Sequence, residues 1–242
     1  MHMVTTISKF EGYRERVAKA AAEAGNLQDI CAVAHVLMTR IRSQGGGDPC
    51  AHIMAEAVQE LFPGTQIAFG PATDDGYFYD FLLPENISSD DFGAIEKKMQ
   101  QIIKANEPFV REVVTIDQAK EIFADQRFKL EHIDDLADEQ ITIYRHGSFV
   151  DLCSGPHIPS AGKIGAIKLM KLAGAYWRAD ASREQLQRLY GTAFFKKAEL
   201  DEYLHNLEEA EKRDHRKIGR EMDLFMMREE APGFPFFLPN GM

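Results

Sequence analysis

The stretch Asp151–His157 places a carboxylate, a thiol and an imidazole within seven residues, the last two on Cys153 and His157. Gly155 and Pro156 are poor residues for a helix interior, so this segment is predicted to be a shaped loop. The apolar residues just ahead of it indicate the end of a strand that carries the loop out of a buried edge. Polar groups there are costly unless they have partners, and functional residues concentrate on loops that a rigid scaffold holds. We therefore expect other parts of the chain to supply partners for this loop.

His52 is the natural partner for Cys153 and His157, because it lies on a well-capped predicted helix. Thiolate and imidazole are ligands that zinc prefers, and a three-ligand site with an open position is the form that activates water. A second interpretation is that His52 faces solvent and that His157 hydrogen-bonds to the backbone. The spacing alone is compatible with both.

Periodicity and turn signals predict the elements that must position these residues. Residues 1–47 are expected to form a helical extension that ends in a glycine-rich linker. Asp48 is a favoured N-cap residue and Pro49 suits the first helical position, so a further helix begins there and carries His52 on its polar side. Pro63 and Gly64 end this helix.

The next predicted elements are two hairpin strands, a capped helix, a strand, two short helices and a second hairpin that delivers the loop. The first hairpin strands are 65–70 and 77–83, the capped helix is 88–106 and the strand is 109–115. The short helices are 117–124 and 128–136, and the second hairpin consists of 141–145 and 148–152. Segments of mixed apolar and basic residues follow without an assigned element. One charged helix is then predicted from Ala198 to Arg220, ahead of an apolar stretch over residues 221–242.

Composition sets the class of protein. An apolar content of 45% and a charged content of 27% over 242 residues fit a globular chain with its own core. No apolar run approaches the roughly 18 residues of a membrane span, and the N-terminus lacks signal-peptide architecture, which predicts a cytoplasmic protein without membrane contact. Three cysteines are too few, and odd in number, for a disulfide framework, so a thiol here would act as a ligand or a reactive group.

The net charge of −10 argues against indiscriminate nucleic-acid binding, but the charges are unevenly distributed. Between Lys163 and Lys197, eight basic residues stand against two acidic ones, with aromatic residues interleaved. This mixture predicts a face for a single-stranded RNA end, whose bases stack while its phosphates meet cations. The candidate residues are Lys163, Lys168, Lys171, Tyr176 and Arg178. In the alternative interpretation most of the aromatic residues here, such as Trp177 and Phe194, belong to the core.

Five motifs occur in order along the chain: AHIMAEAV at 51–58, GYFYDF at 76–81, YR at 144–145, DLCSGPH at 151–157, and AGAYWR with YGTAF between 173 and 194. Together they resemble the bacterial threonyl-tRNA synthetases, over roughly residues 48–242. The matching part is the editing domain, which alanyl-tRNA synthetases share in diverged form. The resemblance implies an α+β fold, with a two-layer editing domain at 48–196, a linker helix at 197–220 and the start of a class II catalytic domain at 221–242.

The activity that this resemblance implies is hydrolysis of serine wrongly attached to threonine tRNA. A pocket built to accept threonine cannot strongly reject serine, because one methyl group is worth only about 1–3 kcal/mol. The family's site residues fall, motif by motif, on His52, Lys129, Tyr144, Asp151, Cys153 and His157. In the implied roles the two histidines position or deprotonate water, the lysine holds negative charge, and the aspartate and tyrosine recognise the seryl group. The structural alternatives are that Tyr144 is a core residue and Lys129 a surface residue.

The chain departs from the family at Asp48, which stands where the family helix carries the first of two histidines four residues apart. Asp48 is then either a fourth metal ligand beside His52, Cys153 and His157 or simply the helix N-cap. Free-standing alanyl relatives use zinc at this site, whereas the synthetase domain is not clearly zinc-dependent.

The chain contains none of the class II sequence that binds ATP and threonine, so ligase activity is not expected from this chain alone. Such activity would need a catalytic synthetase domain or a partner chain. Three functions are compatible with the sequence: an editing hydrolase that acts on the 3′ end of threonine tRNA, a catalytically inactive tRNA-binding module, and a truncated ligase.

Overall fold

The computed structural model of the protein describes residues 48–73, 76–136, 140–155, 157–230 and 233–242. The helical extension and linker predicted for residues 1–47 lie outside the described residues, as does the predicted turn at Asp74 and Asp75.

Helices and antiparallel sheets are mixed along the described chain, so the predicted α+β class is confirmed. The helices are α1 (Pro49–Leu61), α2 (Phe92–Ala105), α3 (Ile116–Ile122), α4 (Arg127–Asp135), α5 (Lys197–Lys212) and α6 (His215–Glu221). The strands are β1 (Gln66–Ile67), β2 (Ala72–Thr73), β3 (Gly76–Leu82), β4 (Phe109–Thr115), β5 (Gln140–His146), β6 (Phe149–Leu152), β7 (Ala166–Tyr176), β8 (Gln185–Phe194), β9 (Phe225–Met227) and β10 (Pro235–Phe237).

Helix α1 is buried along most of its length, and it positions His52. Its start follows the predicted cap, since the Asp48 side chain accepts a hydrogen bond from the Cys50 amide at 2.8 Å and Pro49 occupies the first turn. The apolar side of α1 packs on α2 and β3. The polar side, which carries His52 and Glu56, is buried as well. A helix with polar side chains buried on one side requires partners for them elsewhere in the fold.

Two long strands, β7 and β8, replace the segments to which the sequence assigned no element. They complete a sheet with the order β1-β3-β8-β7, in which β2 also pairs with β3. Ile167 and Leu169 of β7 are buried while Lys168 between them is only half-buried, the alternation of a strand with one face on the core. The basic residues in this segment obscure that alternation in the sequence.

The second sheet, in the order β4-β5-β6, carries the loop that begins at Cys153. Its two faces contribute to different cores. Phe109, Tyr144 and Phe149 belong to the cluster that includes α1, while Ile141 and Ile143 pack with residues of α3 and α4. The sheet therefore lies between α1 and the α3–α4 pair, and its α1 side gathers the side chains considered below.

The first of two compact units ends at Ala193, and the second comprises Phe194–Met242. In the second unit the single charged helix predicted for 198–220 is wrong, because two helices, α5 and α6, are present. The break has a local cause: the Asp214 side chain accepts a hydrogen bond from the Arg216 amide at 2.8 Å and caps a new helix. Strands β9 and β10 form a hairpin. Within the described residues no helix is both long and apolar enough to cross a bilayer.

Candidate hydrolytic site

Two distant pieces of backbone, α1 and the loop after β6, converge at one place. His52, Cys153 and His157 each offer a ligand atom there, and these three atoms lie within 4.8 Å of one another. The imidazole rings of His52 and His157 meet edge to face, with centroids 4.5 Å apart. The structure thus brings His52 to Cys153 and His157, which lie about a hundred positions further along the sequence.

Asp151 joins the buried groups around this cluster. Its carboxylate is 3% exposed and lies 3.2 Å from His52 Nδ1, and it also forms an ion pair with the Lys129 ammonium group. Lys129 is 1% exposed, so the interpretation of this residue as a surface lysine is wrong. Buried charges persist when they are paired and hydrogen-bonded. Asp151 is therefore the countercharge that lets α4 carry an ammonium group into the interior.

Tyr79 is a member of this network that the sequence analysis missed. Its hydroxyl donates a hydrogen bond to Asp151 Oδ2 at 2.7 Å and accepts one from Lys129 Nζ at 3.0 Å. Burial, reinforced by the negative charge of Asp151, raises the pKa of the phenol, so Tyr79 stays protonated. The available signal was its place within the GYFYDF motif, since a buried tyrosine hydroxyl usually needs a polar partner.

Gly70 makes room for the Tyr79 ring, and we expect Gly70→Ala to disturb the network. A Cβ atom at Gly70 would lie 2.1 Å from Tyr79 Cδ2, so the ring would have to move away from Asp151 and Lys129. The expected cost is about 1–3 kcal/mol of unfolding free energy, measured by urea denaturation. Gly93→Ala is the control, because a Cβ atom there meets nothing within 4 Å. A Gly70→Ala protein as stable as the Gly93→Ala protein would contradict this account.

His157 is the least satisfied polar residue of the site. Both of its ring nitrogens are buried, and neither has a hydrogen-bond partner among the described residues. Burial, with a smaller contribution from His52, lowers the pKa of His157 to about 2, so the imidazole is neutral near pH 7. The Tyr144 ring meets it edge to face at 4.3 Å, and Tyr144 is itself part of the core. Buried nitrogens without protein partners are expected where a ligand, water or metal binds.

The lowered pKa of His157 predicts acid sensitivity of the metal-free protein. The unfolded chain binds a proton at this residue near pH 6.5, whereas the folded chain does so only near pH 2. The free energy of unfolding is therefore unaffected by this group above pH 6.5. It falls below pH 6.5, because the unfolded chain takes up a proton that the folded chain does not, by up to about 1.4 kcal/mol per pH unit. Urea unfolding at pH 7.5 and 5.5, with a chelator present, measures the slope. The slope should be smaller in His157→Gln, and an equal slope would contradict the assignment.

A second buried pair connects α1 to the three-stranded sheet. His146 Nδ1 of β5 lies 2.7 Å from Glu56 Oε2, one helical turn beyond His52. Both residues are buried. This contact holds α1 against β5 and so helps to hold His52 beside Asp151.

The donor set fits a metal such as zinc. A thiolate and two imidazoles are typical zinc ligands, and the contact between His52 and Asp151 resembles the carboxylate partner that metal-bound histidines commonly have. Asp48 does not join the three-residue group found among the described residues. Its carboxylate caps α1 instead, which supports the N-cap interpretation.

The candidate RNA-binding residues lie around β7 and β8, and much of their charge is balanced. Four of the eight basic residues in this region form ion pairs with carboxylates: Lys168 with Glu96, Arg178 with Asp135, Arg183 with Glu131 and Arg188 with Asp80. Lys163 is exposed, and the Lys171 ammonium lies over the Tyr190 ring at 4.8 Å. Tyr176 is exposed, whereas Trp177 is buried, as the core interpretation predicted.

Comparison with known proteins identifies a matching domain family and several similar proteins. Residues 141–190, which include Tyr144, Asp151, Cys153 and His157, match the threonyl and alanyl tRNA synthetase second additional domain. Proteins named threonine–tRNA ligase are similar over a longer range. The one from Rhodopseudomonas palustris is 55% identical over 196 residues, which is 79% of this chain and 30% of that protein. The one from a Wolbachia of Drosophila simulans is 50% identical over 221 residues, 88% of this chain and 35% of that protein.

The chain thus spans about a third of the length of the curated relatives that it matches. The resemblance inferred from the five sequence motifs is confirmed, because the matched domain and the relatives point to the same group of enzymes. Residues 141–190 therefore match the second additional domain of the threonyl and alanyl tRNA synthetases, and 79–88% of the chain is similar to proteins named threonine–tRNA ligase.

Proposed function

We propose that this chain hydrolyses the ester bond of seryl-tRNA(Thr) and so removes serine from threonine tRNA. The observation that supports this most strongly is the convergence of His52, Cys153 and His157 beside the buried Lys129–Asp151 pair. A base, a cation and unpartnered imidazole nitrogens in one place are what ester hydrolysis needs. The similarity to threonine–tRNA ligases supplies the class of substrate.

His52 is suited to accept a proton from the attacking water. Asp151 faces its Nδ1 atom, which favours the tautomer that carries hydrogen on Nδ1 and leaves the Nε2 lone pair available. Burial lowers the pKa of His52, while the negative charge of Asp151 opposes that shift. His52 is thus neutral near pH 7 and keeps part of its basicity. His157, whose pKa lies near 2, is the weaker base and suits a ligand or positioning role.

Lys129 is the donor for developing negative charge. Its ammonium group, buried and held 3.0 Å from the Tyr79 hydroxyl, would stabilise an oxyanion more strongly than water does. Tyr79 donates its one hydroxyl hydrogen to Asp151, so its role is to position Lys129, and Asp151 orients both Lys129 and His52. A zinc ion, held by His52, Cys153 and His157, would supply Lewis acidity and a more acidic bound water.

The direct test is deacylation of purified substrates. The protein should release serine from seryl-tRNA(Thr) well above the buffer rate and should spare threonyl-tRNA(Thr), because a pocket that admits serine can exclude the extra methyl group sterically. Assays with and without a chelator separate a metal-dependent reaction from a metal-free one. No acceleration in either condition would refute the proposal.

One observation favours a second candidate, a tRNA-binding module without activity. Asp48, in place of the family's histidine, is engaged as the N-cap of α1. If that substitution removed a needed group, the natural chain should bind threonine tRNA without cleaving it, and Asp48→His should create activity. Activity in the natural chain would exclude this candidate.

A further inference from the structure

We propose that Arg111 binds the phosphate on the 5′ side of the terminal nucleoside whose ribose carries the ester. This inference rests on the proposed function and extends the site outward by one charged residue. It concerns a residue that lies on neither the α1 helix nor the loop after β6.

The position of Arg111 follows from strand register. Arg111 of β4 pairs with Tyr144 of β5, and Tyr144 pairs in turn with Asp151 of β6. Directly paired residues of antiparallel strands project to the same face of a sheet. Arg111, Tyr144 and Asp151 therefore form one row on the α1 side, and its two ends lie about 10 Å apart at ordinary strand spacing.

Exposure increases along this row. Asp151 and Tyr144 are buried, whereas Arg111 is exposed. The ring of Tyr144 contacts that of His157, so the row leads from the candidate reaction centre to solvent. A substrate whose ester reaches His52 and whose remainder stays outside would pass along such a boundary.

The charge of Arg111 is available for a ligand. Its guanidinium donates a hydrogen bond to Thr142 Oγ1 at 3.2 Å, and in the described part of the chain no carboxylate lies within 4.0 Å of it. Arg145, the next residue of β5 after Tyr144, projects to the opposite face and is paired with Glu112. Inside the site, the charge of Lys129 is already balanced by Asp151.

The chemistry of the substrate identifies the group that Arg111 would meet. In an aminoacylated RNA end the amino acid is esterified to the terminal ribose, and the nearest anion within the nucleic acid is the phosphate on the 5′ side of that ribose. Guanidinium binds phosphate with two parallel hydrogen bonds. Such a contact fixes the position of the RNA end on the protein and does not depend on the identity of the bases. Arg111 would hold the ribose at the depth that places its ester beside His52.

The test compares two small esters that differ by one phosphate, 2′(3′)-O-seryl adenosine 5′-monophosphate and 2′(3′)-O-seryl adenosine. The natural protein should prefer the phosphorylated ester. Arg111→Ala should lower kcat/KM for that ester by about 10- to 100-fold, mainly through KM, and leave the other ester unchanged. Arg111→Lys should retain part of the preference. Arg145→Ala is the matched control and should change neither ester.

Binding of the corresponding non-hydrolysable 3′-amides, by calorimetry, separates this inference from the hydrolase proposal. If neither ester is cleaved but the phosphorylated amide binds more tightly, and Arg111→Ala removes that difference, the role of Arg111 stands while the hydrolase proposal fails. If Arg111→Ala weakens both ligands equally, or weakens neither, the inference is overturned.

Discussion

His52→Ala is expected to lower kcat for seryl-tRNA(Thr) deacylation by about 10²- to 10⁴-fold, the usual contribution of a positioned base. His52 contacts two other residues of the site: its Nδ1 atom faces Asp151 and its ring meets that of His157. The substitution removes the lone pair proposed to accept the proton of water. It also removes one of three candidate metal ligands, so the loss is expected whether or not a metal is bound. Single-turnover deacylation measures it.

His205→Ala is the control for that experiment. His205 is exposed on α5 and should leave the rate unchanged. Metal content measured on both variants shows whether the loss accompanies loss of an ion. A His52→Ala protein that folds normally and keeps more than half of the activity would rule out His52 as the base.

Local signals predicted much of the scaffold from the sequence. Asp48 and Pro49 located the start of α1, because capping is decided by neighbouring residues. The bounds of β4 were predicted as observed, and the β5–β6 hairpin that carries the loop was predicted within about one residue at each end. These strands were predictable because alternating apolar residues and turn signals depend only on residues that are close together in the sequence.

The elements that were missed had ambiguous local signals. In β7, Lys168 and Lys171 interrupt the apolar pattern, and only pairing with β8 in the sheet explains why this segment is extended. The break between α5 and α6 depends on one side chain, Asp214, in a segment that is otherwise uniformly helical in character. Tertiary pairing and single caps override average propensity in these two places.

For the candidate site, the family resemblance predicted the site residues, whereas only the structure shows which side chains they contact. Tyr79 contacts Asp151 across 72 positions and Lys129 across 50, and no local pattern encodes such contacts. The pairing of charges could not be predicted from the sequence either. The sequence shows a surplus of basic residues after Lys163, whereas in the fold Glu96 and Asp135 form ion pairs with two of them. Charge that looks available in a sequence can already be paired in the fold. Arg111 shows the reverse, a cation outside the basic region that is left unbalanced in the described part of the chain.

The largest effect on stability is expected from breaking the buried pair between Lys129 and Asp151. Asp151→Asn would leave the Lys129 ammonium, 1% exposed, without its countercharge, and Tyr79 provides only a hydroxyl. Removing one partner of a buried ion pair typically costs about 3–5 kcal/mol. Urea denaturation followed by circular dichroism should show that loss as a lower unfolding midpoint, with deacylation abolished as well.

The double variant Lys129→Met/Asp151→Leu distinguishes lost charge balance from lost packing. Replacing both ions by apolar residues of similar size removes the uncompensated charge, so stability should recover well above that of Asp151→Asn while activity stays absent. Asp134→Asn is the matched control, because Asp134 pairs with Lys120 on the surface, where ion pairs contribute little. If the double variant were as unstable as Asp151→Asn, the network would stabilise the fold through shape and not through charge, and the proposed role of Asp151 in holding Lys129 as a cation would be wrong.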